Sequence, residues 1–131
     1  MELDHVGIAV ADLASALPRW TPLTGEPDGP PELVAGQGVR VAFLRSGAVD
    51  VELLEPVAPE SAVGRFIARR GEGLHHIAFR VPSVDAALAE LLQRGEKVVD
   101  RVGRAGARGR RVGFAHPTAY GGVLVEFVEG P

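Results

Sequence analysis

Residues 74–81, LHHIAFRV, begin with two adjacent histidines and continue as an alternating apolar run. This alternation predicts a β-strand. Because successive side chains of a strand point to opposite faces, His75 and His76 cannot serve one site equally. The rest of the chain indicates which of the two is functional, because the segment occurs twice.

A shift of 71 residues aligns the stretch LDHVGIAV near the N-terminus with LHHIAFRV. In this alignment His5 matches His76, whereas His75 matches Asp4. The repeat therefore predicts that His76 is the functional histidine and that His75 lies on the opposite face of its strand.

Each half of the repeat also ends in a strand with a glutamate, at Glu52 in VELLE and at Glu126 in VEFVE. The histidine and the glutamate are 47 residues apart in the first half and 50 in the second. Two imidazoles and two carboxylates form a mixed N/O donor set that suits a divalent transition metal, and open coordination positions would make the site catalytic. The predicted metal ligands are His5, Glu52, His76 and Glu126.

The remaining pattern predicts further strands and three helices. Pro18 falls inside the first helical pattern, so we expect that helix to be short, kinked or shifted in register. His116 has no counterpart in the repeat and is expected in a turn or beside the site. We predict strands over residues 3–10, 38–44, 49–54, 74–81, 97–100, 111–114 and 122–128, loops over 25–31, 45–47 and 101–110, and helices that begin at the N-caps Asp12, Ser61 and Ser83.

The composition indicates one globular domain over residues 1–131. Within it we expect module one over about residues 1–58, a linking helix over about 60–71 and module two over about 73–129. The net charge of −3 gives no reason to expect binding to nucleic acid or to a membrane. The absence of cysteine excludes thiolate chemistry, and without a signal peptide or a long apolar run we expect a cytoplasmic protein.

The duplicated pattern resembles the vicinal oxygen chelate superfamily. The resemblance implies an α+β fold in which two tandem βαβββ modules form a cupped mixed β-sheet around a metal site, with the helices outside. Within this superfamily the chain is most similar to the methylmalonyl-CoA epimerases. The matching motifs are LDHVGIAV (3–10), QGV (37–39), VELLEP (51–56), GEGLHHIAF (71–79), FAHP (114–117) and GGVLVE (121–126).

The resemblance implies an enzyme that interconverts (R)- and (S)-methylmalonyl-CoA by removing the proton alpha to the thioester through a metal-stabilised enolate. Glu126 would be both a ligand and one catalytic base, and Glu52 or a water on the metal is the candidate for the other. The second base is open, because Val41 stands where some epimerases carry a glutamate. The expected cofactor is Co²⁺, with Mn²⁺, Ni²⁺ or Zn²⁺ as alternatives, and a homodimer with an acyl-CoA substrate is expected.

Two further questions stay open at this level. The basic loop offers Arg104, Arg108 and Arg110 to the phosphates of CoA, or it is simply a solvated loop. The function also has alternatives on the same fold, namely glyoxalase I (lactoylglutathione lyase) and a non-enzymatic small-molecule-binding module of the bleomycin-resistance type.

Overall fold

The computed structural model describes residues 1–130 and contains three α-helices and eight strands over that range. The strands are β1 (Glu2–Ala9), β2 (Glu32–Val34), β3 (Val39–Ser46), β4 (Val49–Pro56), β5 (Gly73–Val81), β6 (Arg104–Ala105), β7 (Arg111–Phe114) and β8 (Val125–Glu129). The helices are α1 (Leu13–Thr24), α2 (Ala62–Arg70) and α3 (Val84–Gln93), and short 3-10 helices occupy Ala35–Gln37, Ala107–Gly109 and Pro117–Tyr120.

All eight strands belong to one mixed sheet with the hydrogen-bonding order β2-β3-β4-β1-β5-β8-β7-β6. Strand β1 is parallel to β4, and β5 is parallel to β8. The pairs β2–β3, β3–β4, β6–β7 and β7–β8 are antiparallel. The predicted α+β class, with the βαβββ order present twice, is confirmed.

The chain divides into two compact units. One contains His5–His75, and the other combines Met1–Asp4 with the chain from His76 onward. Strand β1 is therefore shared, because its first residues belong to the second of these units and its remainder to the first.

The core of the unit that contains His5–His75 lies between α1 and the sheet. Leu13 and Ala16 of α1 pack in one cluster with Leu44 of β3 and Leu53 of β4. Burial of each leucine contributes about 1.5–3 kcal/mol relative to exposure. Because side chains alternate along a strand, this packing turns the neighbouring residues of β3 and β4 toward the other face of the sheet.

The core of the second unit has the same plan with α3 in place of α1. Val84 and Leu88 of α3 pack in one cluster with Val81 of β5 and Phe127 of β8. At Gly113 of β7 a Cβ atom would come within 2.8 Å of side-chain atoms of α3. A glycine is needed at that position because the helix lies so close to the strand.

The three predicted helix starts are confirmed. In each case a side-chain oxygen accepts a hydrogen bond from the backbone N–H three residues later, which satisfies one of the amides that a helix leaves open at its first turn. The Ser15 N–H donates to Asp12, the Gly64 N–H to Ser61 and the Ala86 N–H to Ser83, each with an N–O distance of 3.1 Å.

Of the three alternatives expected for the first helix, the short helix is wrong, because α1 runs for 12 residues through Pro18 and Pro22. The two prolines are four residues apart and both are exposed, so they lie on the solvent side of the helix. The Ala14 carbonyl, which loses its helical donor at Pro18, also lies on an exposed residue. Water can therefore satisfy it.

The predicted strand at residues 97–100 is also wrong. Only Val98 makes a bridge there, with Ala115, while the Asp100 carboxylate accepts a hydrogen bond from the Phe114 N–H at 2.9 Å. The strand β6 lies instead in the predicted loop, where a Cβ atom on Gly106 would come within 2.7 Å of the Val112 side chain. The glycines of this segment let the chain approach β7 closely.

Other strands also differ from the prediction, most clearly β2, the β3–β4 hairpin and β8. The edge strand β2 was not predicted; it has only three residues and follows a segment rich in glycine and proline. The hairpin between β3 and β4 turns at residues 47–48, with Gly47 at φ 71°, rather than at 45–47. Strand β8 begins at Val125 rather than at Gly122, because Gly122 has a φ of 100° that strand backbone does not adopt.

Candidate metal centre

The first histidine–glutamate pair lies on adjacent parallel strands. Gly7 of β1 is the register partner of Glu52 of β4, and His5 is two residues before Gly7 and so on the same face. The His5 Nε2 atom is 3.4 Å from Glu52 Oε1. Both residues are buried, with 3% and 5% of their surface exposed.

The second pair has the same construction in the other unit. Ala78 of β5 is the register partner of Glu126 of β8, and His76 is two residues before Ala78. The His76 Nε2 atom is 3.1 Å from Glu126 Oε1, and both side chains are buried. Gly7 and Ala78, the register partners of the two glutamates, are both small residues.

A phenylalanine stands edge-on to each of these histidines. The His5 and Phe43 ring centroids are 5.5 Å apart with planes at 87°, and those of His76 and Phe114 are 5.6 Å apart at 84°. Each phenylalanine is also the register partner of the glutamate of its pair. Neither phenylalanine was predicted to belong to the site, although the shift of 71 residues that aligns the histidines also aligns Phe43 with Phe114.

Among residues 1–130, His5, Glu52, His76 and Glu126 form a group of buried side chains that could hold a metal ion. The donor chemistry fits a divalent transition metal, because two imidazole nitrogens and two carboxylate oxygens are available. The burial supports this fit, because a carboxylate removed from water is costly unless it is paired or coordinates a metal.

A second glutamate follows each of these carboxylates and was not singled out from the sequence. Glu55 accepts a hydrogen bond from the Leu13 N–H at the start of α1, and Glu129 accepts one from the Val84 N–H at the start of α3. Both N–O distances are 2.8 Å. The spacing Glu-x-x-Glu, present in VELLE and VEFVE, was a signal for them.

The three loop arginines that were candidates for phosphate contact have different surroundings. Arg104 has its Nε atom 3.2 Å from Asp100 Oδ1, and its guanidinium carbon is 5.7 Å from the centroid of the Phe114 ring. Arg108 is exposed and has a φ of 60°. Arg110 is largely buried among hydrogen-bond acceptors.

A buried ion-pair network surrounds Asp4. Its carboxylate accepts hydrogen bonds from Arg80 and from both terminal nitrogens of Arg110, at 2.9–3.1 Å. Arg110 also donates from Nε to the Glu129 carbonyl at 2.7 Å. The hydrogen bond to Asp4 is the main cause that raises the pKa of Arg80 above its usual value.

His116 and Val41 complete the residues named from the sequence. His116 occupies the N-cap of the 3-10 helix Pro117–Tyr120, where its Nδ1 atom accepts from the Thr118 N–H at 3.1 Å. This is the turn position that was one of its two expected places. Val41 is buried on β3 and is the register partner of Leu54.

No helix within residues 1–130 is long and apolar enough to cross a membrane.

Two known proteins are similar in sequence to this chain over nearly its whole length. The chain is 39% identical to the uncharacterized protein YqjC of Bacillus subtilis, over 97% of this chain and 91% of that one. It is 34% identical to the ethylmalonyl-CoA/methylmalonyl-CoA epimerase of Cereibacter sphaeroides, over 95% of this chain and 94% of that one.

A solved structure of a variant Streptomyces coelicolor methylmalonyl-CoA epimerase, in complex with 2-nitronate-propionyl-CoA, matches with a TM-score of 0.92 and 39% identity. The match covers 99% of this chain and 94% of that one. A family model described as the Glyoxalase/Bleomycin resistance protein/Dioxygenase superfamily matches residues 4–114. The chain therefore belongs to the glyoxalase/bleomycin resistance protein/dioxygenase superfamily.

Proposed function

We propose that this protein is a metal-dependent methylmalonyl-CoA epimerase that interconverts the (R) and (S) forms of its substrate. The observation that carries the proposal is the presence of two buried histidine–glutamate pairs at matching positions, with N–O distances of 3.4 Å in the first pair and 3.1 Å in the second. The chain that carries them is similar over nearly its whole length to proteins of that name. A binding module without chemistry has no need to bury two carboxylates in this way.

The reaction exchanges one proton. The carbon between the thioester and the carboxylate loses its proton from one face and regains one on the other. The chemistry that a bound divalent ion would supply is Lewis-acid stabilisation of the negative charge that develops on the substrate. Glu126 is the proposed base: its carboxylate accepts the proton and becomes a carboxylic acid. Glu52, protonated before the cycle, is the proposed donor that returns a proton to the opposite face, and exchange with solvent afterwards removes the proton from Glu126 and restores the one on Glu52.

The proposed ligands of the ion are His5, Glu52, His76 and Glu126, with Co²⁺ as the expected metal and Mn²⁺, Ni²⁺ or Zn²⁺ as alternatives. The edge-on contacts from Phe43 and Phe114 restrict the rotation of the two imidazole rings. The chain thus holds the donor nitrogens in place before any ion binds, which lowers the ordering cost of binding.

We further propose that the basic loop contacts the phosphates of the acyl-CoA. Arg108 is the residue best placed for this role, because its side chain is exposed. Arg104, four residues earlier, is half-buried. Arg110 belongs to the same proposed set, but its guanidinium already holds Asp4 and the Glu129 carbonyl, so its contribution would be to fix the loop.

The proposed assembly is a homodimer in which each chain forms one domain from its two modules. Sedimentation equilibrium of the metal-loaded protein tests this directly. A mass of two chains is expected, and a mass of one chain would contradict the proposal.

The experiment that tests the function compares two substrates. Protein loaded with Co²⁺ is assayed with (S)-methylmalonyl-CoA and, separately, with the hemithioacetal of glutathione and methylglyoxal, the substrate of glyoxalase I. We expect formation of the (R) isomer and no lactoylglutathione. Turnover of the hemithioacetal alone would refute the proposal, and turnover of neither by fully loaded protein would favour a binding module.

A further inference from the structure

The outer glutamates Glu55 and Glu129 stand in a fixed relation to the proposed ligands. Each lies three residues after a ligand carboxylate, at Glu52 or at Glu126. Because three is an odd number, the outer glutamate points to the opposite face of the strand, which is the face that the helices cover. There each accepts a hydrogen bond of 2.8 Å from the first backbone N–H of a helix.

The donor of that hydrogen bond is tied just as regularly to the proposed histidine ligand. Leu13 is eight residues after His5, and Val84 is eight residues after His76. Each hydrogen bond therefore joins the segment that carries the histidine to the strand that carries the glutamate. The two strands so joined are parallel neighbours, β1 with β4 and β5 with β8.

The chemistry of the contact makes it strong for its size. An ionised carboxylate at a helix N-terminus interacts with open N–H groups and with the positive end of the helix dipole. Hydrogen bonds to a charged acceptor are about twice as strong as neutral ones. Both contacts are partly buried, so water competes with them less than it does at an exposed cap.

We propose that Glu55 and Glu129 are positioning residues that hold each histidine–glutamate pair in register and thereby set the affinity of the site for its metal. The inference rests on the proposed function only in that the pairs bind a metal. A slip of one strand along its neighbour would separate the imidazole nitrogen from the carboxylate oxygen, and the hydrogen bond across the helix start opposes that slip. Neither glutamate is one of the proposed ligands.

The test is a titration with Co²⁺ alone, read by its absorption and by calorimetry, in the second module. Glu129→Ala removes the contact to Val84. Ser83→Ala removes the ordinary cap of the same helix, at Ala86, without touching the ligand strand. We expect both variants to melt earlier than the wild type, but only Glu129→Ala to bind Co²⁺ about tenfold more weakly. Glu129→Gln keeps an acceptor oxygen and should restore most of the affinity.

The outcomes separate this inference from the function it rests on. If the wild-type protein does not bind Co²⁺, the proposed metal centre is wrong. If it binds and Glu129→Ala matches Ser83→Ala in affinity, Glu129 is only a structural cap and the inference is overturned. Should Glu129→Ala fail to fold, Glu129→Asp replaces it: its shorter side chain should also weaken Co²⁺ binding, and an unchanged affinity would overturn the inference.

Discussion

The His75 ring packs edge-on against the Phe66 ring of α2, with the centroids 4.9 Å apart and the planes at 77°. Its neighbour His76 instead lies 3.1 Å from Glu126 and is 2% exposed. Two adjacent histidines of one strand thus have separate partners, because the strand directs successive side chains to opposite faces. One packs on a helix, and the other belongs to the candidate metal centre.

This asymmetry predicts different losses on substitution. His76→Ala should abolish stoichiometric metal binding and epimerase activity, because it removes a proposed ligand. His75→Ala should leave the metal content unchanged and lower only stability, since it removes a packing contact worth about 1 kcal/mol. Elemental analysis after dialysis measures both. Equal metal loss in the two variants would show that the assignment of the histidines is wrong.

The phenylalanines predict a second difference. Phe114→Leu removes the ring that stands against His76, so the imidazole gains freedom and Co²⁺ should bind a few-fold more weakly. Phe66→Leu is the matched control, because that ring contacts His75 and not a proposed ligand. Both variants should lose about 1 kcal/mol of stability. If Co²⁺ affinity falls equally in both, the effect is general loosening and not orientation of His76.

The buried Asp4 network predicts a large stability effect. Asp4→Ala leaves the guanidinium of Arg110 without its main acceptor, and breaking a buried pair in this way costs about 3–5 kcal/mol. Glu90→Ala is the control, because the Glu90–Arg94 pair is exposed and such pairs contribute little to stability. Urea denaturation of the metal-free proteins measures both changes. A loss in Asp4→Ala no larger than in the control would contradict the predicted role of the network.

Asp85 predicts a pH dependence. The Gly103 N–H, and then the Arg111 guanidinium, hold the pKa of the Asp85 carboxyl below its ordinary value of 3.8. A folded-state pKa below the unfolded one stabilises the fold above the unfolded value, and this contribution is lost as the pH falls through the folded value. The melting temperature of Asp85→Asn should therefore be below that of the wild type at about pH 6, with the gap closing as the pH falls below 3.8. A gap that is constant with pH would contradict this account.

Several features of the site could be predicted because they depend on local rules and on the repeat. The helix caps follow from residue type, and the histidine and glutamate of each pair follow from strand alternation together with the shift of 71 residues. The pairing of His5 with Glu52 additionally requires β1 and β4 to be neighbours, which follows from the strand order of the sheet and not from a local pattern.

Other features depend on contacts that no local pattern expresses. The short strand β6 forms only because Gly103 and Gly106 let the chain lie against the side chains of β7, whereas its sequence has the glycine and arginine content of a loop. The roles of Glu55 and Glu129 depend on where the helices begin in space. The partners of Arg110 are likewise distant in sequence, with Asp4 more than one hundred residues away.

Buried carboxylates of this chain are proposed to exchange the proton next to the thioester of methylmalonyl-CoA. The most direct measurement is the incorporation of solvent deuterium into that position by Co²⁺-loaded protein, followed by mass spectrometry for the wild type and for Glu126→Gln. We expect rapid deuterium incorporation by the wild type and a rate about a hundredfold or more lower in the variant. Incorporation by Glu126→Gln at the wild-type rate would contradict the proposal.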